Sequence, residues 1–278
     1  MVTRSLFARL IDDAALFPPG NAPMDRALVE HATYRAAAYS DVVGPFLCPA
    51  SRVEEMLSAL GPDQSLALAI VFDVTGDDAH AALRAAAVDR RVTLVAVEAA
   101  YARLGDDAAA VGANLARMPS AVGFLEVPRT GFDAALDLVE SSGWHAAKYR
   151  TGGATPEAFP TEAELASFLV ASTTRGLPFK LTAGLHHAVR STAYDGSGSE
   201  QHGLLNVLVA TRVAQQDGDV TEVAAVLAQR EPGPLVEFLE AWDEPTCTDV
   251  RRAFLSFGCC GVTDPIDDLV AAGVLDAA

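Results

Sequence analysis

Six times in succession, a short apolar run rich in β-branched residues gives way to a stretch whose apolar residues recur about every 3.6 positions. The runs are "DVVGPFLCPA" from 41, "LALAIVFDV" from 66, "VTLVAVEAA" from 92, "AVGFLEVP" from 121, "HAAKYRTGG" from 145 and "PFKLTAGLHH" from 178. Between them lie Ala/Leu/Glu-rich segments such as "SRVEEMLSAL", "DDAHAALRAAAVD" and "TEAELASFLVASTTRG". Several open with Asp, Ser or Thr, the residues that cap helix N-termini, and "PTEAE" is the clearest case. Strand-then-helix units spaced about 25 to 35 residues apart imply a parallel sheet built from right-handed crossovers. The strands read as nearly continuous apolar runs because both faces of such a sheet are covered by protein.

A closed (β/α)8 barrel of the TIM type needs roughly 250 residues, and a chain of 278 fits one such domain over 1–278. The alternative, an open doubly wound sheet, usually carries a glycine-rich phosphate turn after its first strand; "FLCPAS" is not one. Two places stay open. "AFLSFGCCG" reads as the eighth strand, while the seventh falls on either "GLLNVLVATRVAQQ" or "PLVEFLEAW". At the other end, "DDAALFPPG" sets Asp13 and Phe17 one turn apart before a Pro-Pro stop, and reads as an N-terminal helical extension that plugs or crosses one barrel end. The Ser/Gly-rich stretch "STAYDGSGSEQHG", 191–203, reads as a mobile loop able to close over a substrate.

Charge narrows the partners. A net charge of −17 argues against nucleic acid and against an anionic membrane surface, both of which need basic patches. No run of about 18 apolar residues offers a membrane span, and Arg9, Asp12 and Asp13 break any secretory signal. The four cysteines lack paired CxxC spacing and are too few for a disulfide scaffold, which points to a reducing, cytoplasmic setting. A small anionic molecule is the expected partner, no cofactor is required, and a homo-oligomer is compatible with the composition.

Of the 20 basic residues, 18 are arginines and two are lysines. Lys148 and Lys180 sit in the two last apolar runs. Alternation along a strand puts Lys148 and Arg150 on one face with Tyr149 on the other, and Lys180 and Thr182 on one face with Phe179 and Leu181 opposite. Large apolar residues suit the helix-facing side, so the basic pairs point into the barrel. Glu126 falls near the C-terminal end of its strand by the same logic. Burying an unpaired ammonium costs several kcal/mol, so two strand-centred lysines call for a site, and barrels carry their chemistry at the C-terminal mouth.

Other candidates surround them. "RTGG" supplies Gly152 and Gly153, whose backbone N–H groups suit an anion beside Arg150. His186, His187 and His202 flank the Ser/Gly loop, and Asn206 lies one helical turn past His202. A metal set of His186, His187, His202 and Cys260 would serve a hydrolase or isomerase, although no HxH or HExxH spacing appears. The plainer reading has His186, His187 and His202 as substrate-binding candidates, one hydrogen-bonding the substrate and another packing or exposed, with Asn206 sharing the face and task of His202.

The segments "DDAALFPPGNAPM", "KYRTGG", "PFKLTAGLHHAVR", "HGLLNVL" and "SFGCCG…DPIDDL" together resemble a family of bacterial proteins of uncharacterised activity, over nearly the whole chain; the resemblance implies no catalytic residue. At the level of fold alone, the lysine placement is similar to class I aldolases and dehydratases, whose lysine on a late barrel strand forms a Schiff base. The expectation is therefore a lyase or aldolase-type enzyme acting on a small anionic carbonyl compound. In it Lys180 is the nucleophile and Lys148 lowers its pKa. Arg150, Gly152, Gly153 and Thr182 hold the anion, and Glu126, His186 or His202 moves protons. The metal-dependent enzyme and a non-catalytic binding protein are the alternatives.

Overall fold

Eight parallel strands close into a barrel in the order β1-β2-β3-β4-β5-β6-β7-β10. They are β1 (Ile11–Asp13), β2 (Val43–Pro49), β3 (Leu66–Val71), β4 (Val92–Ala100), β5 (Val122–Glu126), β6 (Ala146–Arg150), β7 (Phe179–Thr182) and β10 (Phe254–Cys259). A short antiparallel hairpin, β8 (Ser191–Thr192) with β9 (Glu200–Gln201), stands outside the barrel. The computed structural model describes residues 2–276 apart from 119, 154 and 193–198. The centre of the loop expected to close over a substrate, 193–198, lies outside the described residues.

The closed TIM-type barrel is as expected; its two ends are not. The helical extension shrinks to one 3-10 turn, Arg4–Phe7, after which Ile11–Asp13 is the first barrel strand. Its three residues include two carboxylates, so no apolar run announces it. Neither candidate for the seventh strand is a strand: both lie in a block of four helices between β7 and β10. These are α8 (Leu204–Gln215), α9 (Val220–Leu227), α10 (Pro232–Glu240) and α11 (Glu244–Ala253). "GLLNVLVATRVAQQ" is apolar nearly all round because α8 is buried on most sides, with nine of its residues inside the protein. A helix covered all round loses the amphipathic stripe that distinguishes it from a buried strand.

The remaining helices follow their strands: α1 (Met24–Ala36), α2 (Val53–Ala59), α3 (Gly76–Val88), the short α4 (Tyr101–Leu104), α5 (Ala108–Leu115), α6 (Asp133–Ser141), α7 (Glu162–Thr174) and α12 (Thr263–Ala271). The N-cap anticipated at "PTEAE" starts α7 and closes into a capping box: Thr161 accepts from the Glu164 amide and the Glu164 side chain accepts from the Thr161 amide. No helix among the described residues is long and apolar enough to cross a membrane.

Outside the barrel wall an aromatic ladder fixes which way β6, β7 and β10 face. Tyr149 stacks on Phe168 of α7 at 4.4 Å, Phe168 meets Phe179 edge-on at 5.6 Å, and Phe179 stacks on Phe254 at 5.4 Å. With those rings held against the helices, alternation turns Lys148 and Lys180 inward, and a register shift between Phe254 and Ser256 brings Ser256 to the inner face as well. The interior is otherwise built of small or compact apolar side chains, among them Ala69, Ala96, Ala146, Leu47 and Phe124. Those alanines leave the volume that long charged side chains occupy.

Candidate active site

Inside the barrel a chain of alternating charges runs across five strands. Lys180 is fully buried and donates to Asp12 of β1 and Glu98 of β4. Glu98 faces Lys148 of β6 at 2.8 Å, Lys148 faces Glu126 of β5 at 2.9 Å, and Glu126 accepts from Arg150 at 3.0 Å. Ser256 of β10 closes the inner end by donating to Asp12 at 2.9 Å. Register explains the convergence. Lys148 lies beside Lys180 and Glu126 beside Lys148 in neighbouring strands, while Arg150 pairs with Thr182 one step nearer the mouth. Three carboxylates and three cations balance, which is the condition for keeping charge in a low-dielectric interior.

Electrostatics grade the chain. Burial would push the Glu98 carboxyl up, but the two lysines hold it down at about 2. Burial likewise works against the charge on Lys180, yet Asp12 and Glu98 raise its pKa above the ordinary lysine value. Lys148 is raised by Glu126 and Glu98 against the same burial. Asp12 is the soft end: burial pushes its carboxyl up, and Lys180 and Ser256 do not cancel the effect. One of its oxygens, Oδ1, has no hydrogen-bond partner. That oxygen lies so close to Gly44 that a Cβ there would overlap it.

At the C-terminal mouth a cavity of about 320 Å³ opens above this chain. It is lined on one side by Lys148, Arg150, Thr182 and His186, and on the other by Phe17, Pro18, Leu47 and Val71. Gly153, Gly258 and Cys260 also border it. Chain direction at its rim is set by three consecutive left-handed residues, Ala183 (φ 56°), Gly184 (φ 86°) and Leu185 (φ 55°). Such a run is costly for Ala and Leu and is the kind of strain that collects at functional sites. Thr151 anchors it by donating to the carbonyls of Thr182 and Ala183. Beyond the turn, His186 sits with Nε2 3.8 Å from Cys260 Sγ and Nδ1 3.5 Å from Cys259 Sγ and 3.8 Å from Asp264. Burial lowers the His186 pKa below its ordinary value, so the ring is neutral near pH 7.

The sequence candidates therefore divide. Lys148, Arg150, Gly153, Thr182 and His186 line the cavity, and Glu126 stands behind Lys148 and Arg150. Lys180 does not line it; the amine lies deeper, over the Phe124 ring at 5.4 Å. The expectation that Lys148 lowers the pKa of Lys180 is corrected, because two carboxylates outweigh one like charge. Gly152 packs against Phe159 and Gly184 rather than facing the cavity. His202 is buried away from it, donating from Nε2 to the Pro160 carbonyl at 2.9 Å and facing Arg190 with Nδ1 at 3.3 Å. Asn206 ties Arg190 N to the carbonyls of Val226 and Gln229, and His187 meets Asp268 at 3.1 Å. These three build the scaffold. Among the described residues no group of three or more His, Cys, Asp or Glu side chains is arranged to hold a metal ion, so the set His186, His187, His202 and Cys260 does not converge.

Asp12, Glu98 and Ser256 were not singled out from the sequence. Glu98 left a signal, a lone carboxylate inside "VTLVAVEAA", where both strand faces are covered. Asp12 left none, because its strand is too short to stand out. Comparison with family models, curated proteins and solved structures finds no match to this chain.

Proposed function

We propose that the protein is a lyase of the aldolase type, acting on a small anionic carbonyl compound through Lys148. One observation carries the proposal: of the two buried amines, Lys148 alone borders the mouth cavity, with an arginine, a neutral histidine and a threonine around it. An anion bound at Arg150 competes with Glu126 for the guanidinium. Glu126, freed of part of that pairing, takes the proton of Lys148 across the 2.9 Å contact, and the neutral amine attacks the carbonyl carbon. The carbinolamine loses its hydroxyl as water, with protonated Glu126 supplying the proton, and leaves an iminium. Cleavage of the carbon–carbon bond next to the iminium carbon's neighbour sends its electron pair toward the iminium nitrogen, while His186 takes the proton of the departing hydroxyl. In carbon–oxygen cleavage the pair comes instead from the C–H bond beside the iminium, whose proton His186 takes, and the carbon–oxygen pair leaves with oxygen as water. Protonation of the resulting enamine and hydrolysis of the imine release the product and return Lys148. Lys180 serves as a positioning residue: it fixes Glu98, which in turn holds Lys148.

Borohydride reduction in the presence of pyruvate and longer 2-oxo acids tests the reading. The expected result is a stable mass increment on the wild-type protein that disappears in Lys148→Met. An increment that survives in Lys148→Met, or none with any oxo acid, would contradict it. A protein that only binds would be stabilised by the acids without forming any adduct.

A further inference from the structure

Resting on the lysine-centred reading of the mouth cavity, we infer that the site selects an oxo acid with a short apolar tail and disfavours polyhydroxylated carbonyl compounds such as sugar phosphates. The strands divide the cavity into two walls. Lys148 and Arg150 come from β6, and Thr182 and His186 from β7 and the turn after it. Across the barrel Leu47 lies on β2 and Val71 ends β3, and beside them Phe17 and Pro18 follow β1. In the closed order β2 and β3 stand opposite β6 and β7, so the cationic wall directly faces the apolar one. A carboxylate at Arg150 with its carbonyl at Lys148 leaves the rest of the molecule to meet Leu47, Val71 and Phe17.

Those three side chains offer no donor or acceptor. A substrate hydroxyl turned toward them loses its water without compensation, and each such group lowers affinity roughly ten- to a hundredfold. An aliphatic tail gains from the same contact. Polar side chains on the other wall are already committed: Arg150 and Lys148 serve the acid and the carbonyl and His186 the proton, which leaves Thr182 and Cys260 for at most a hydroxyl or two. A cavity of about 320 Å³ is at the small end for ligand sites, which limits the tail to a few carbons.

The test measures dissociation constants of the full chain by calorimetry for 4-methyl-2-oxopentanoate and for 2-ketogluconate, with Leu47→Asn and Val71→Thr as variants. The wild type should bind the aliphatic acid at least tenfold tighter, and either variant should cut that ratio by fivefold or more. Val71→Thr keeps shape and volume, so it guards against a Leu47→Asn chain that does not fold. Equal or tighter binding of 2-ketogluconate, a ratio unchanged in folded variants, or no binding of either acid would overturn the inference. Borohydride reduction of the wild type with the same two acids separates it from the reading beneath. Apolar preference without any reducible adduct in the wild type defeats the imine and leaves the pocket assignment standing. Adducts formed equally with hydroxylated acids do the reverse.

Discussion

Glu98 is bound to two lysines at once, and each lysine holds a second carboxylate. Removing one member of such a chain leaves its neighbours charged and buried. Lys180→Met strands both Asp12 and Glu98, and should cost about 3–5 kcal/mol in urea unfolding. Adding Asp12→Asn should restore part of the loss, since the inner carboxylate then carries no charge. A Lys180→Met chain as stable as wild type would show that the cluster is not paired as described. Gly44→Ala should also destabilise, because its methyl group would overlap Asp12 Oδ1; circular-dichroism melts give the readout. The two lysines were legible because Arg fills every other basic position. Which lysine meets the cavity was not, since alternation gives the face of a strand residue but not its depth. Register does not separate them, since Lys148 and Lys180 are level on adjacent strands; their partners do, because Lys180 reaches inward to Asp12 while Lys148 lies between Glu98 and Glu126.

At the scale of elements, the six middle strands announced themselves by length and β-branched content, and their helices by period and caps. β1 escaped because its interior residue is a carboxylate neutralised by a lysine 168 positions away in the chain, a pairing no local window contains. α8 escaped through its all-round burial. His202 and Asn206, expected at the site, instead fasten the segment before α8 to α7 and α9: His202 reaches Pro160 and Arg190, and Asn206 reaches Val226 and Gln229. This fastening has a pH signature. Burial lowers the His202 pKa to about 4, below its unfolded value of about 6.5. The unfolded chain therefore binds the proton more tightly, so the stabilisation is complete above about pH 6.5 and is lost as pH falls toward 4. The loss amounts to about 3 kcal/mol over that window. His202→Gln should flatten that part of the stability profile, leaving the smaller contributions of His145 and His186, whose pKa values are also lowered by burial. An unchanged slope between pH 6.5 and 4 would place His202 outside the packed scaffold.

Over the whole molecule, the barrel separates two jobs. Its waist stores a neutralised set of charges behind small alanines, and its mouth exposes the end of that set to a cavity whose other wall is apolar. A net charge of −17 says nothing of this, because the cations that matter are paired inside. The account turns on which amine meets the substrate, and peptide mapping of the borohydride-reduced protein decides it. After reduction with 4-methyl-2-oxopentanoate, tandem mass spectrometry should find the added mass on Lys148, in the peptide carrying "WHAAKYR", with Lys180 unmodified. Mass on Lys180, or on neither lysine, would contradict it.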